Sequence, residues 1–236
     1  MKQSLKKIAA ATFALSIVCT SGPVLDVLPA SATAEQQILS ELTELNDDTA
    51  PGIEMNENGV ARSIDGQLSD TQVENDEDAK EVLRNISELL GVKDTEQELK
   101  FESSSNSSYN TVYTFKQYYK DIELTNSYIT IIVNNSTGRS EFLNSSFIPD
   151  FSMDVNPDVS ASNAAQIVME QYSVTLSEAP RLVIYSMDNT VHHLAWEVKT
   201  DSFSPSMVYL DAKNGEILYA EMPSSANDEG DLAATY

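Results

Sequence analysis

The fold is decided by two consecutive stretches, Tyr113-Thr-Phe-Lys-Gln-Tyr-Tyr-Lys-Asp-Ile-Glu-Leu124 and Tyr128-Ile-Thr-Ile-Ile-Val133. Both are rich in aromatic and β-branched residues, a composition typical of β-strands. Because side chains alternate between the two faces of a strand, Tyr113 and Phe115 share one face and Lys116 lies on the other. We expect the more apolar face to pack against a helix.

Further strands flank this pair and are separated by turns rich in Ser, Asn or Gly. The four strands predicted in this region are Leu99–Ser103, Tyr109–Tyr119, Ser127–Asn134 and Arg139–Phe147. An amphipathic helix is predicted before them, with Asp78 as its cap and Gly91 as its left-handed stop.

A second unit repeats the order of one helix followed by strands. Ser160 is a suitable cap for a helix with an apolar stripe, and Asn214-Gly215 fits a tight hairpin. Its predicted strands are Arg181–Met187, Val191–Thr200, Pro205–Asp211 and Glu216–Tyr219. The sequence therefore predicts an α+β chain of two small units, each a helix packed on an antiparallel sheet.

Residues 1–34 are typical of a secretory signal peptide. Lysines precede an apolar run from Ile8 to Val18, and Ala32 and Ala34 fit the small residues that signal peptidase requires. The run is shorter than the ~20 residues of a bilayer span, so we expect no stable membrane span after cleavage. Cleavage also removes Cys19, the one cysteine, and the protein is expected to be secreted and extracellular.

Residues 35–77 are an acidic segment, which we predict to be largely disordered. Between Glu35 and Ala79 there are thirteen acidic residues, one arginine and no aromatic residue. Such a composition buries too little apolar area to offset the backbone entropy of folding. A short helix around Leu42 fits the spacing of its apolar residues. The whole chain carries 14 Lys+Arg against 37 Asp+Glu, a formal net charge of −23, which argues against a nucleic-acid partner.

Residues 78–150 resemble the fungalysin/thermolysin propeptide motif. The core of that motif reads Gln-x-Tyr-x-Gly-Ile-x-Val, and Gln117-Tyr-Tyr-Lys-Asp-Ile-Glu-Leu124 is similar to it. This chain departs from the motif at Asp121, which stands in the glycine position, and at Glu123, which stands in the frequent proline position.

Residues 158–221 resemble a PepSY domain, on the stretches Ala195-Trp-Glu-Val198 and Val208-Tyr-Leu-Asp-Ala-Lys-Asn-Gly-Glu-Ile-Leu218. Two domains in this order occur in the prosegments of thermolysin-like zinc metalloproteases. The resemblance implies a thermolysin-like catalytic domain as the partner.

The family's catalytic domain binds zinc through a His-Glu-x-x-His helix, and the chain has no such motif. Its two histidines, His192 and His193, are adjacent and point to opposite faces of a strand, so they do not readily ligate one metal. We therefore predict a protein that is not an enzyme and needs no cofactor or metal.

Candidate partner-binding residues follow from the resemblance. Gln117 and Tyr119 lie in the propeptide motif, and Asp211 lies in the hairpin turn of the PepSY-like region. For Gln117 and Asp211 a structural use, hydrogen bonding to neighbouring backbone, is the commoner alternative. An acidic tail, residues 222–236, adds three candidates for the partner interface: Asp228, Glu229 and Asp231.

Three functions remain open at this point. The chain is a secreted prosegment-like protein that inhibits a thermolysin-like metalloprotease or assists its folding, or the truncated front half of such a precursor. The third alternative is a cell-surface PepSY binding module unrelated to proteolysis.

Overall fold

The computed structural model describes residues 30–186 and 191–222. Its helices are α1 (Ala30–Leu45), α2 (Asp76–Asn85), α3 (Ser87–Leu90), α4 (Thr95–Glu98) and α5 (Ala161–Tyr172). Its strands are β1 (Gly52–Met55), β2 (Ala61–Asp65), β3 (Leu99–Asn106), β4 (Asn110–Tyr119), β5 (Ile122–Asn134), β6 (Arg139–Ser145), β7 (Arg181–Ser186), β8 (His192–Lys199), β9 (Met207–Asp211) and β10 (Ile217–Ala220).

The strands form two antiparallel groups that share one sheet. The first group runs β1-β2-β6-β5-β4-β3 and the second runs β7-β8-β9-β10. They join where Leu124 of β5 pairs in parallel with Ile184 of β7. We call α1–α4 with β1–β6 the first unit, and α5 with β7–β10 the second unit. The predicted α+β class with antiparallel sheets is confirmed.

The helix predicted before the first sheet is present but interrupted. Its cap is Asn75, whose side chain accepts a hydrogen bond from the backbone N–H of Asp78 at 3.0 Å, so the prediction of Asp78 as cap was wrong. The helix breaks at Ile86 into α2 and α3. Gly91 ends α3 with a φ of 69°, as predicted, and a Cβ there would lie 2.8 Å from Val60.

The acidic segment is folded, which corrects the prediction that residues 35–77 are disordered. α1, β1 and β2 all lie within or across it, and β2 pairs with β6. Five of its residues belong to the buried core of the first unit: Leu42, Ala61, Ile64, Leu68 and Val73. The physical reason is that this segment buries its sparse apolar side chains against a sheet and helices that later residues supply.

Apolar side chains from α2, α3, β4 and β5 complete that core. Phe115 is fully buried, and Tyr113 on the same face of β4 is 7% exposed. The predicted packing of this face against a helix is confirmed, since both residues share one cluster with Val82 and Leu83 of α2.

The second unit packs α5 on one face of its sheet. Ser160 caps this helix as predicted, accepting from the backbone N–H of Asn163 at 3.2 Å. The cluster beneath it contains five buried residues: Ala164, Val168, Val198, Val208 and Leu210. Trp196 extends the cluster and donates its indole N–H to the carbonyl of Val159 at 2.8 Å.

The segment between the units covers the junction of the two strand groups, on the side of the sheet on which α5 packs. A small cluster there contains Leu124 of β5, Ile184 of β7 and Leu194 of β8. Partly buried side chains of the connecting segment pack on it: Ile148, Phe151, Met153 and Val155. This segment therefore covers one side of the junction and leaves the opposite side to other residues.

Candidate functional site

A groove of about 390 Å³ lies where β4 and β5 meet β7, β8 and β9. It opens on the face of the second unit that is turned away from α5. Trp196 and Val198 of β8 pack toward α5, so Glu197 between them points to the opposite face, where it lines the groove. The groove is also lined by Lys116, Glu123, Thr125, Asn126, Tyr128, Arg181, Lys199, Met207 and Tyr209.

A chain of ionic contacts crosses the floor of this groove and joins the two units. Arg181 of β7 donates from Nη1 to Glu123 Oε2 at 2.5 Å and from Nη2 to Glu197 Oε1 at 2.9 Å. Lys116 Nζ lies 2.7 Å from Glu123 Oε1, and the hydroxyl of Tyr209 donates to Glu197 Oε2 at 3.1 Å. We call these five residues the junction network.

The two carboxylates of the junction network are buried, and the cations are more exposed. Glu123 and Glu197 are each 6% exposed, whereas the side chains of Arg181 and Lys116 are 47% and 30% exposed. A buried carboxylate without a cation is strongly destabilised, so other arrangements of the two units that separate these groups are disfavoured. The network therefore fixes how the first and second sheets meet.

The electrostatics of the network shift the pKa values of Glu123, Arg181 and Tyr209. Burial alone would raise the pKa of Glu123, but hydrogen bonds from Lys116 and Arg181 outweigh it and lower that pKa. Burial would likewise lower the pKa of Arg181, and its contacts with Glu123 and Glu197 raise it instead. Burial, reinforced by the Glu197 carboxylate, raises the pKa of the Tyr209 hydroxyl. Glu123 thus stays ionised and Tyr209 neutral at neutral pH, so Glu123 is no proton donor there.

Stacked tyrosines extend the same face of the second sheet. The rings of Tyr185 and Tyr209 stack with centroids 4.2 Å apart, and the ring of Tyr219 lies 6.3 Å from each. Tyr219 is 42% exposed, and on the other side of the groove Tyr128 is 39% exposed. Aromatic side chains beside fixed polar groups are typical of protein-binding surfaces.

Gln117 lies near this junction but points into the structure. It is 2% exposed, its amide N–H donates to the carbonyl of Ile148 at 2.8 Å, and its oxygen accepts from the backbone N–H of Ile148 and from Ser127. The structure therefore gives it the structural use, tying β4 and β5 to the segment after β6, and not a place on a partner surface.

Tyr119 lies on the other side of the junction from the groove. Its ring packs edge-on against Phe151 of the connecting segment, and hydrogen bonds involving Lys120 and then Ser152 lower the pKa of its hydroxyl. The next two residues form the turn into β5, with φ of 49° at Lys120 and 64° at Asp121. Asp121 thus adopts the left-handed conformation that the glycine of the propeptide motif would favour.

Asp211 is 7% exposed and holds the β9–β10 turn. Its Oδ1 accepts from the backbone N–H groups of Lys213 at 2.7 Å and Asn214 at 3.2 Å, and its Oδ2 lies 2.9 Å from Nδ1 of His193. These contacts give Asp211 the structural use, which was the alternative to partner binding. His192 contacts Phe151 with its ring, so the two histidines have different partners.

The remaining sequence predictions concern the ends of the chain. Ala32 and Ala34, the predicted cleavage points, lie within α1, while most of the predicted signal peptide lies outside the described residues. Asp228, Glu229 and Asp231 lie outside them as well.

Within residues 30–186 and 191–222, no three or more His, Cys, Asp or Glu side chains are grouped so as to hold a metal ion. None of the helices described in these ranges has the length and apolar character of a membrane span.

Sequence reasoning missed the three central residues of the site: Glu123, Arg181 and Glu197. Glu123 and Arg181 are 58 residues apart, so no local pattern pairs them. One signal was available, because Glu197 stands alone between Trp196 and Val198 in a strand, and a charged residue among apolar neighbours requires a partner when it is buried.

Comparisons with known proteins give likenesses among solved structures. No family model matches the chain, and no curated protein matches it. Among solved structures, the C-terminal domain of YpeB from Bacillus megaterium matches at 14% identity with a TM-score of 0.45, covering 82% of this chain and 97% of that one. At this identity and TM-score the likeness assigns the chain to no family.

Proposed function

We propose that the chain is a secreted, non-catalytic PepSY-type protein, similar to a protease prosegment, that binds the catalytic domain of a thermolysin-like metalloprotease. Binding either inhibits the folded enzyme or assists its folding. The observation that carries the proposal is the junction network, which holds a propeptide-like unit and a PepSY-like unit on one sheet in a fixed relation.

Local geometry supports the two resemblances. The propeptide-like stretch forms the β4–β5 hairpin, with Asp121 in the backbone conformation suited to the motif's glycine. The PepSY-like stretch forms the β9–β10 hairpin, with Gly215 at a φ of 81° in its turn. Each resemblance thus corresponds to a complete supersecondary element.

The groove and the adjoining tyrosines supply the docking surface in this proposal. Tyr128 and Lys199 line the groove with exposed side chains, and their backbones belong to strands β5 and β8. A preformed surface loses little conformational entropy on binding, which favours affinity.

The experiment mixes the purified protein with several secreted thermolysin-like enzymes and measures peptide hydrolysis and the yield of refolded enzyme. A Tyr128→Ala variant is compared with Tyr109→Ala, which removes an 80% exposed tyrosine at the β3–β4 turn, away from the groove. We expect Tyr128→Ala to weaken the effect about tenfold and Tyr109→Ala to change it less than twofold.

The two assays also separate the two modes. Inhibition of preformed enzyme indicates binding to the native cleft, and a higher refolding yield indicates binding to a folding intermediate or transition state. No binding to any of the enzymes would overturn the proposal, and equal effects of the two variants would overturn the assignment of the groove.

A further inference from the structure

The first unit carries a larger groove, of about 710 Å³, whose lining includes no residue of the junction network. It lies between the C-terminal half of α1, the segment that follows β2, and the break between α2 and α3. Its lining consists of Ile38, Glu41, Leu42, Glu44, Leu45, Leu68, Ser69, Asp70, Asn85 and Ile86. We call it the α1 groove.

The floor of the α1 groove is apolar. Leu42, Leu68 and Ile86 are each 1–2% exposed and belong to the core of the first unit. Ile38 and Leu45 pack on the same core but are only partly buried. Ile38, Leu42 and Leu45 are spaced four and three residues apart, so they form one face of the helix. This face covers the core beneath α1 and also lines the open groove beside it.

The rim of the groove is acidic. Glu41, Glu44 and Asp70 are exposed there, and within the described part of the chain none of the three lies within 4 Å of a Lys, Arg or His nitrogen. The surrounding sequence does not balance them, because Arg62 is the one cation between Glu35 and Ala79. The groove therefore combines an apolar floor with a negative potential.

We propose that the α1 groove binds a cationic amphipathic helix of a protein partner. Apolar side chains of that helix would lie on Leu45 and Ile38, and its Lys or Arg side chains would pair with Glu41, Glu44 and Asp70. The groove runs along the segment from Ile38 to Leu45, about 10 Å at 1.5 Å per residue, which matches about two helical turns of the partner.

Charge selects this occupant over two others. A second copy of the chain brings a net charge of −23 and the same acidic rim, so self-association through this groove is opposed by like charges. An anionic lipid surface is repelled for the same reason. The site is separate from the groove at the junction, so it does not depend on the protease proposal.

The test uses a synthetic 14-residue peptide of Lys and Leu, patterned as an amphipathic helix and labelled for fluorescence anisotropy. Its affinity is measured for the purified protein, for a rim variant with Glu41→Lys and Glu44→Lys, and for a control variant with Glu54→Lys and Glu57→Lys. Both variants change the net charge equally, and Glu54 and Glu57 are exposed on the β1–β2 hairpin.

We expect the rim variant to raise the Kd at least tenfold and the control variant to raise it less than threefold. A peptide with every Leu replaced by Gln keeps its charge and should bind at least tenfold more weakly. Circular dichroism of both variants confirms that they remain folded.

Three results would overturn the proposal. The site is excluded if the Lys/Leu peptide does not bind. If the rim and control variants lose affinity equally, the peptide is attracted only by the overall negative charge of the protein. Unchanged affinity of the Gln peptide shows that the apolar floor takes no part.

Discussion

The two units bury different kinds of side chain. The first unit has one large apolar cluster, to which α1, α2, α3 and strands β2 to β6 all contribute. The second unit divides its apolar residues among three small clusters and buries Glu197 and Asp211 between them. The first unit is therefore stabilised mainly by apolar packing, whose strength does not depend on pH, whereas the attachment of the second unit depends on paired charges.

The largest effect is expected from a cavity in the first unit. Phe115→Ala removes a fully buried ring that packs edge-on against Phe101, and we expect the free energy of unfolding to fall by about 3–5 kcal/mol. Urea unfolding followed by circular dichroism measures it. Phe203→Ala is the control, since Phe203 is 82% exposed and its loss should change the free energy by less than about 0.5 kcal/mol. Similar losses in the two variants would contradict a core centred on Phe115.

A somewhat smaller loss of stability is expected from a substitution in α1. Leu42 is 1% exposed, so Leu42→Ala should lower the free energy of unfolding by about 2–4 kcal/mol, and Leu39→Ala, at a partly buried position, by less. Limited proteolysis provides a second measurement, because residues 46–77 should resist cleavage in the parent protein and become sensitive in Leu42→Ala. Rapid trimming of the parent protein to a core beginning near Asp78 would show instead that this segment is disordered.

Breaking the junction network should have a moderate effect. Glu123→Gln keeps the shape of the side chain but removes the charge that Lys116 and Arg181 share, and we expect a loss of about 1–3 kcal/mol. Glu178→Gln is the matched control, because its ion pair with Lys199 has both side chains about half exposed, and it should change the free energy of unfolding much less than Glu123→Gln does. Hydrogen exchange at Leu124 and Ile184 should accelerate only in Glu123→Gln, and equal exchange in the two variants would argue against the network.

The smallest effect is a difference between the two units in how their contribution to stability depends on pH. The pKa of Glu123 is lowered in the folded protein, so its contribution is complete above the unfolded value of about 4.3 and is lost as the pH falls through the folded value. The difference in unfolding free energy between the parent and Glu123→Gln should therefore be constant from pH 5 to 8 and shrink below pH 4. The loss in Phe115→Ala should stay nearly constant over the same range. A Glu123→Gln difference that persists unchanged at pH 3 would contradict the ionic origin of the attachment.

Local signals predicted the elements that local chemistry determines. Ser160 and Gly91 have the roles expected of a helix cap and a left-handed stop, and Gly138 adopts a φ of 69° in one of the predicted Gly-containing turns between strands. These features depend on a few neighbouring residues, so a single sequence is enough to find them.

Two features could not be predicted from short stretches of the sequence. The acidic segment folds because Ile64 and Leu68 reach a core built by residues that come later in the chain, while its composition considered alone favours disorder. The site itself assembles from β4, β5, β7, β8 and β9, and the ion pair between Glu123 and Arg181 exists only because β5 and β7 are neighbours. Pairing of strands across units is a property of the topology rather than of any short motif.

Strand β5 contacts both units, and its pairing makes the two units differ in how they depend on each other during unfolding. Its first residues bond to β7, through Leu124 and the Thr125 hydroxyl, while its later residues from Ile129 onward pair with β6. The first unit can lose β7 and keep β5 between β4 and β6, but the second unit loses the edge on which β7 rests when the first unit unfolds. We therefore expect the second unit to unfold no later than the first. During synthesis we expect the matching order, because β5 leaves the ribosome before β7 and is the strand on which β7 then pairs.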